Sequence, residues 1–214
     1  MNLNLTVRLQ GKMNKHMFYY DSENHQYFLN DVRLSGITEV MHHGGLSDYS
    51  MVDDYYMHRG NIVHKILECE LNNELDTKSI DPELQGYYDS FLQCYCNVVD
   101  WDNVIIIEEP IYHPTLKYAT KSDCYVPTSK SVINWKTGSK RESDRIQIAA
   151  EMEIQTANDN LCVEGLLIYL DKKGGMPKIN RVNLIQKRTL FAPFYNALTN
   201  YHKEIKNGAV TAGN

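Results

Sequence analysis

Between residues 104 and 137 the chain carries carboxylate, amide and lysine side chains at intervals that suit metal-assisted hydrolysis. The segments VIIIEEPIYH (104–113), KYATKSDCYV (117–126) and SVINWKT (131–137) are short and rich in β-branched and aromatic residues. Pro-Thr-Leu and Pro-Thr-Ser turns separate them, so they read as a three-stranded antiparallel meander. A turn centred between Thr128 and Ser129 sets Asp123 opposite Asn134, and one centred between Thr115 and Leu116 sets Glu108 opposite Asp123. Glu108, Asp123 and Asn134 then form a row across three strands. The period of two adds Lys136 to the face of Asn134 and sends Ile133 and Trp135 to the other. One Asp, Asn or Lys on a sheet is usually just its solvated side. Opposed like charges are unfavourable, however, unless something positive lies between them, and a divalent cation is one natural candidate.

Helices are expected to position further groups. Residues 52 to 71 have a helical period and carry Gly60, His64 and Glu68 on one stripe, with Gly60 leaving room for another backbone. A helix from Glu142 to Ala157 puts Gln147 and Glu151 on one stripe beside Arg145, where a solvated face is the ordinary reading. A small hairpin within residues 17 to 38 precedes a helix over Thr38 to His43, which Gly44-Gly45 ends. Residues 82 to 97 form a helix with Pro82 near its start. Strands follow over Cys162 to Leu170 and Lys178 to Gln186, then a closing helix from Leu190 to Lys206. The expectation is an α+β domain over 1–214: a mixed central sheet, built from the meander plus added strands, flanked by helices. Its N-terminal hairpin and helices fall in 1–100, the site's sheet and helix in 104–158, and the last strands and helix in 160–206.

With 214 residues, 43% hydrophobic and 23% charged, the chain can bury one sizeable core, which excludes disorder, collagen and coiled coil. The net charge of −5 conceals an asymmetry. Met51 to Glu109 holds thirteen acidic residues against three basic ones, whereas Lys117 to Arg145 holds seven basic against three acidic. The second stretch holds Asp123 and Asn134 of the row described above and could attract a polyanion that the chain as a whole would repel. No apolar run is long enough for a membrane span and the first residues lack a signal peptide's apolar stretch, so a cytoplasmic protein without a membrane partner is expected. Five cysteines read as free thiols of a reducing compartment.

RGNIVHKILE (59–68), EEPIYH (108–113), YATKSD (118–123), VINWKTG (132–138) and IQIAAE (146–151) resemble the ordered motifs of the PD-(D/E)XK nuclease superfamily, in its RecB-type and phage exonuclease branch. The opening HQYFLNDVRLSGITEVM is similar to the start of phage-encoded members, and the resemblance spans roughly residues 18 to 155. It implies a restriction-endonuclease-like core in a phage-encoded deoxyribonuclease of the host cytoplasm, acting on linear duplex or single-stranded DNA in recombination, replication or genome processing. A phage recombination or replication protein would be its partner. By the same resemblance Mg²⁺ or Mn²⁺ is held by His64, Glu108, Asp123, Asn134 and the Trp135 carbonyl. Asp123, Asn134, Lys136 and Gln147 form the catalytic set, with Lys136 orienting water or steadying charge on phosphate and Gln147 positioning the strand. Lys121, Lys140, Arg141 and Arg145 contact the nucleic acid. Asn134 stands where the family carries Asp or Glu, which removes one negative charge and implies reduced activity or a descendant that binds DNA or a host protein without cutting. Other departures are Thr120 for glycine, Lys121 for a small residue and Glu151 for tyrosine. Some relatives hold an iron–sulfur cluster, but only Cys162 follows Gln147, too few ligands for one, so none is expected.

Overall fold

The computed structural model describes residues 17–48, 54–95 and 106–208. The first aromatic-rich stretch forms three strands, β1 (Phe18–Asp21), β2 (Gln26–Leu29) and β3 (Val32–Gly36), where a single hairpin was expected. Asn30 and Asp31 join β2 to β3 with φ of 52° and 61°, the doubly left-handed turn that matches strand twist and that short polar side chains tolerate. Helix α1 (Ile37–His43) follows at once and stops at Gly44. Helices α2 (Asp54–Leu71) and α3 (Gln85–Tyr95) occupy the expected segments. Val52, Asp53, Cys96, Asn97, Val104 and Ile105, also assigned to elements from the sequence, lie outside the described residues.

The meander forms in its expected register but is bent. Its first strand divides into β4 (Ile106–Ile107) and β5 (Pro110–Tyr112), its second into β6 (Tyr118–Lys121) and β7 (Cys124–Val126), and β8 (Ser131–Lys136) is the third. Ile107 pairs with Cys124, Cys124 with Ile133, and Ile111 with Thr120, so one continuous register runs through the break. The break falls at Glu108-Glu109 and Ser122-Asp123, where Glu108 adopts φ 51°, a left-handed conformation that costs an L-residue about 1 kcal/mol or more. Pro110, which has no N–H for a ladder, sits on an edge strand.

The expected single central sheet is therefore two. Beyond the bend, β6 pairs in parallel with β3 through Ser35 and Tyr118, giving the order β1-β2-β3-β6-β5. Before it, β4 and β7 join the order β10-β9-β8-β7-β4, in which β8 and β9 are parallel. The last two strands are β9 (Glu164–Tyr169) and β10 (Lys178–Asn183). The protein is thus α+β, with two mixed sheets and five flanking α-helices among the described residues.

Alternation along β8 and β9 sorts the core. Val132, Leu167 and Tyr169 pack with buried residues of α1, α4 (Glu142–Ala157) and α5 (Leu184–Lys206). Ile133, Trp135, Leu166 and Ile168 pack against α2 and α3 on the other face, where the Phe91 and Trp135 rings meet edge-on at 5.1 Å. Helix α4 matches its expected bounds. Helix α5 starts six residues early and shortens the preceding strand, because Asn183 caps it: the Asn183 amide oxygen accepts from the Ile185 and Gln186 N–H groups, each at 3.0 Å. Gln186 returns the bond by accepting from the Asn183 N–H at 3.1 Å. No helix among the described residues is long and apolar enough to cross a membrane.

Gly86 brings α3 against the turn after β9 so closely that an added Cβ would lie 1.9 Å from the Lys172 carbonyl oxygen. Gly86→Ala should lower unfolding stability by about 2 kcal/mol or more in urea titration, since backbone has to move. Gly138→Ala, where a Cβ meets nothing within 4 Å, should change it by well under about 1 kcal/mol. Equal effects would contradict this packing.

Candidate functional site

Three elements bring one group to a common point. α2 supplies His64, the bent limb after β4 supplies Glu108, and the limb before β7 supplies Asp123; ligand atoms of all three lie within 4.8 Å of one another. Asp123 is buried at 8% exposure and its carboxylate is held on both oxygens. Oδ1 lies 3.1 Å from His64 Nδ1, and Oδ2 accepts the Trp135 backbone N–H at 2.7 Å. Glu108 faces the Lys121 ammonium at 2.5 Å. Two carboxylates and one imidazole form a donor set that fits Mn²⁺ or Mg²⁺ rather than a metal preferring thiolates. These residues could hold such an ion. Gly60, expected to leave room for another backbone, instead faces the Thr137 side chain, where an added Cβ would make an ordinary contact of 3.4 Å with Oγ1.

The charges of the group are mutually arranged. Burial tends to raise the Asp123 carboxyl, but the His64 charge and hydrogen bond, aided by Lys136 and the Trp135 N–H, outweigh it and hold it below the usual carboxylate range. Burial likewise pulls His64 down, and Asp123 more than compensates, so the imidazole sits above its ordinary value. Glu108 is raised by burial and then by Asp123, with Lys121 opposing.

A second layer binds β8 to α4. The Lys136 Nζ donates to Gln147 Oε1 at 3.0 Å, and Gln147 Nε2 donates to Glu151 Oε1 at 3.0 Å. Asn134 Nδ2 donates to Glu151 Oε2 at 2.5 Å. Asn134 and Lys136 do share a face, opposite Ile133 and Trp135, as the strand period requires. Asn134 is 3% exposed, and its side-chain contact is with Glu151 rather than with His64, Glu108 or Asp123. Gln147 likewise holds Lys136 and Glu151 and is not part of the cleft wall. Trp135 enters through its N–H.

The His64, Glu108 and Asp123 group, with Trp135 and Lys136, borders an open cleft of about 1620 Å³. Eight Lys and Arg residues line it against five Asp and Glu, so it is locally cationic in a chain of net charge −5. Lys140 and Arg141 are exposed on its rim. Lys121 also reaches it but is committed to Glu108, and Arg145 leaves the cleft to pair with Glu142 at 3.3 Å. No protein-family model matches the chain, and no curated protein matches it.

Two participants escaped sequence reasoning. Glu151, expected on a solvated face, is 1% exposed. Ile146, Ile148, Ala149, Ala150, Met152 and Ile154 are buried around it, and these apolar residues, which fall on both sides of the Gln147 and Glu151 stripe, were the available signal. Arg59 was the other: its guanidinium carbon stands 4.9 Å from the Tyr56 ring centre and 5.4 Å from that of Tyr87, on the cleft wall. Its position next to Gly60 and five residues before His64 was the hint.

Burial, then Asp123, push the Glu151 carboxyl up to about 7 against the pull of Lys136, Asn134 and Gln147. The unfolded carboxyl loses its proton near 4.5, the folded one later, so stability falls as pH rises from about 4.5 to about 7, by on the order of 3 kcal/mol in total. Glu151→Gln should remove most of that slope in urea denaturation of the metal-free protein; a slope equal to wild type would refute the assignment. Lys121, for its part, already supplies Glu108 with the positive charge that a bound ion would bring. Lys121→Met should therefore bind Mn²⁺ about tenfold more tightly in calorimetry without DNA, and unchanged affinity would show that the ion pair does not compete.

Proposed function

We propose that the chain is a metal-dependent deoxyribonuclease with a restriction-endonuclease-like core, related to the RecB-type and phage exonuclease branch of the PD-(D/E)XK superfamily. One observation carries this reading: His64, Glu108 and Asp123 converge beside Lys136 inside a cationic cleft. The order of the motifs supports it, as does a mixed sheet covered by helices on both faces.

His64, Glu108 and Asp123 would hold Mg²⁺ or Mn²⁺, which when bound polarises a phosphodiester and acidifies a water. The residues of the chain perform the remaining tasks. Lys136, oriented by Gln147, presents its ammonium to the cleft, where it steadies charge developing on phosphate or orients the attacking water. Lys140 and Arg141 draw the DNA backbone to the rim. Glu151 sets a carboxylate behind position 134 rather than in the ligand group, and Asn134 is the neutral donor that lets it lie buried near Asp123. An Asp at 134 alone would set two carboxylates together with no donor between them. Activity would serve phage recombination, replication or genome processing in the host cytoplasm, with a phage recombination or replication protein as partner.

A second reading is a non-catalytic DNA-binding or host-protein-binding descendant, favoured by the engagement of Asn134 with Glu151. Labelled linear duplex and single-stranded DNA incubated with the protein in Mg²⁺ or Mn²⁺ should be shortened. Lys136→Ala should slow this by about a hundredfold or more while retaining DNA binding. The exchange Asn134→Asp with Glu151→Gln, which keeps total charge, should cut at least as fast as wild type. DNA that is bound but left intact by both wild type and the exchange variant would replace the enzyme with the binder.

A further inference from the structure

The cleft is larger than the roughly 300–1,000 Å³ of pockets for small ligands, and its walls carry more than charge. Two aromatic groups border the same space as the His64, Glu108 and Asp123 cluster. From the β1–β2 hairpin come Tyr20 and Tyr27, whose ring centres are 4.9 Å apart. The Tyr20 hydroxyl meets His25 Nδ1 at 2.7 Å, which fixes the ring, and the Lys121 ammonium lies 5.7 Å from its centre. Lys121 in turn pairs with Glu108, so the Tyr20 ring stands directly beside the cluster. From the start of α2 comes Tyr56, 52% exposed, with the Arg59 guanidinium over its ring.

Paired DNA hides its base faces in the stack and offers a protein backbone and groove edges. A surface built for duplex needs phosphate donors, whereas rings can stack only on bases that are unpaired. Aromatic rings interleaved with Arg and Lys along one groove are the combination that holds a single strand, with bases on the rings and phosphates on the cations. Tyr56 beside Arg59 shows that combination in the cleft, and Tyr20 adds a second ring, whose neighbouring Lys121 is engaged by Glu108 and leaves the phosphates to the other cations of the wall.

We propose that the cleft takes an unpaired DNA strand, its bases stacked on Tyr56 and Tyr20 and its phosphates taken by Arg59, Lys140 and Arg141. The substrate is then single-stranded DNA or the overhanging or frayed end of a duplex, rather than paired DNA. This rests on the nuclease reading and names the substrate of that same site.

The test is fluorescence anisotropy in Ca²⁺, using a labelled single-stranded oligonucleotide, a blunt duplex of the same sequence, and that duplex with a single-stranded overhang. The single strand and the overhang should bind about tenfold or more tightly than the blunt duplex. Tyr56→Ala and Tyr20→Ala should each weaken the single strand by about tenfold and change blunt-duplex affinity by no more than about twofold. Tyr56→Phe and Tyr20→Phe keep the ring and should restore single-strand binding, which separates stacking from a loss of fold. Equal affinity for all three probes, or equal losses in the Ala and Phe variants, would overturn the proposal while leaving the cleavage test above untouched. Failure of every probe to bind would overturn the nuclease reading together with it.

Discussion

Asp123 is the point on which the site turns. One carboxylate oxygen meets His64 of α2 and the other accepts the Trp135 N–H of β8, while its own peptide begins the limb that becomes β7. A helix, a central strand and the bend of the hairpin are thereby tied through two oxygens. The arrangement also fixes the electrical state of the cluster. The His64 charge keeps Asp123 ionised despite its burial, and ionised Asp123 works against a second charge on Glu108 and on Glu151. Lys121 and Lys136 therefore belong to the construction of the site as well as to any encounter with a polyanion.

Buried charge of this kind is tolerated only when every member is paired. The chain satisfies that condition in two tiers. Facing the cleft, Lys121 meets Glu108 and His64 meets Asp123. Behind them, Asn134 and Gln147 each donate to Glu151, and Gln147 accepts from Lys136. Asn134 thus fills a place where a carboxylate would meet another carboxylate, and its amide is as much a requirement of Glu151 as a loss to the strand.

The register of the meander was legible because its two turn segments, with Pro114 and Pro127, have definable centres and because β-branched residues mark the strands. Glu108, Asp123 and Lys136 could consequently be placed before any coordinates. The bend was not legible. A glutamate with positive φ has no local sequence signature, since the break accompanies a change of sheet, from the pairing of β4 with β7 to that of β6 with β3, which distant parts of the chain set up. Without the bend, the hairpin reads as part of one sheet. Asn183 and Gln186 did form a readable capping pair, overlooked because the apolar pattern of β10 runs on through Leu184 and Ile185. Spacing alone placed Gln147 and Glu151 on one stripe but could not say which way the stripe faced.

The bend has a consequence for the order in which the molecule assembles. β7 and β8 are joined by a short turn and can zip together quickly, as can the two halves of the hairpin. β3 meets β6 through Ser35 and Tyr118, across a long stretch of chain that holds α1, α2 and α3. Closing that stretch costs more loop entropy than closing a local turn. During synthesis the first three strands emerge early and lack their neighbour until Tyr118 has been made, so the aromatic hairpin completes its sheet after the helices between them exist. The Glu108 and Asp123 limbs, by contrast, come together within one hairpin. The two acids of the site are brought together by local folding, and the Tyr20 wall beside them by a late, long-range closure.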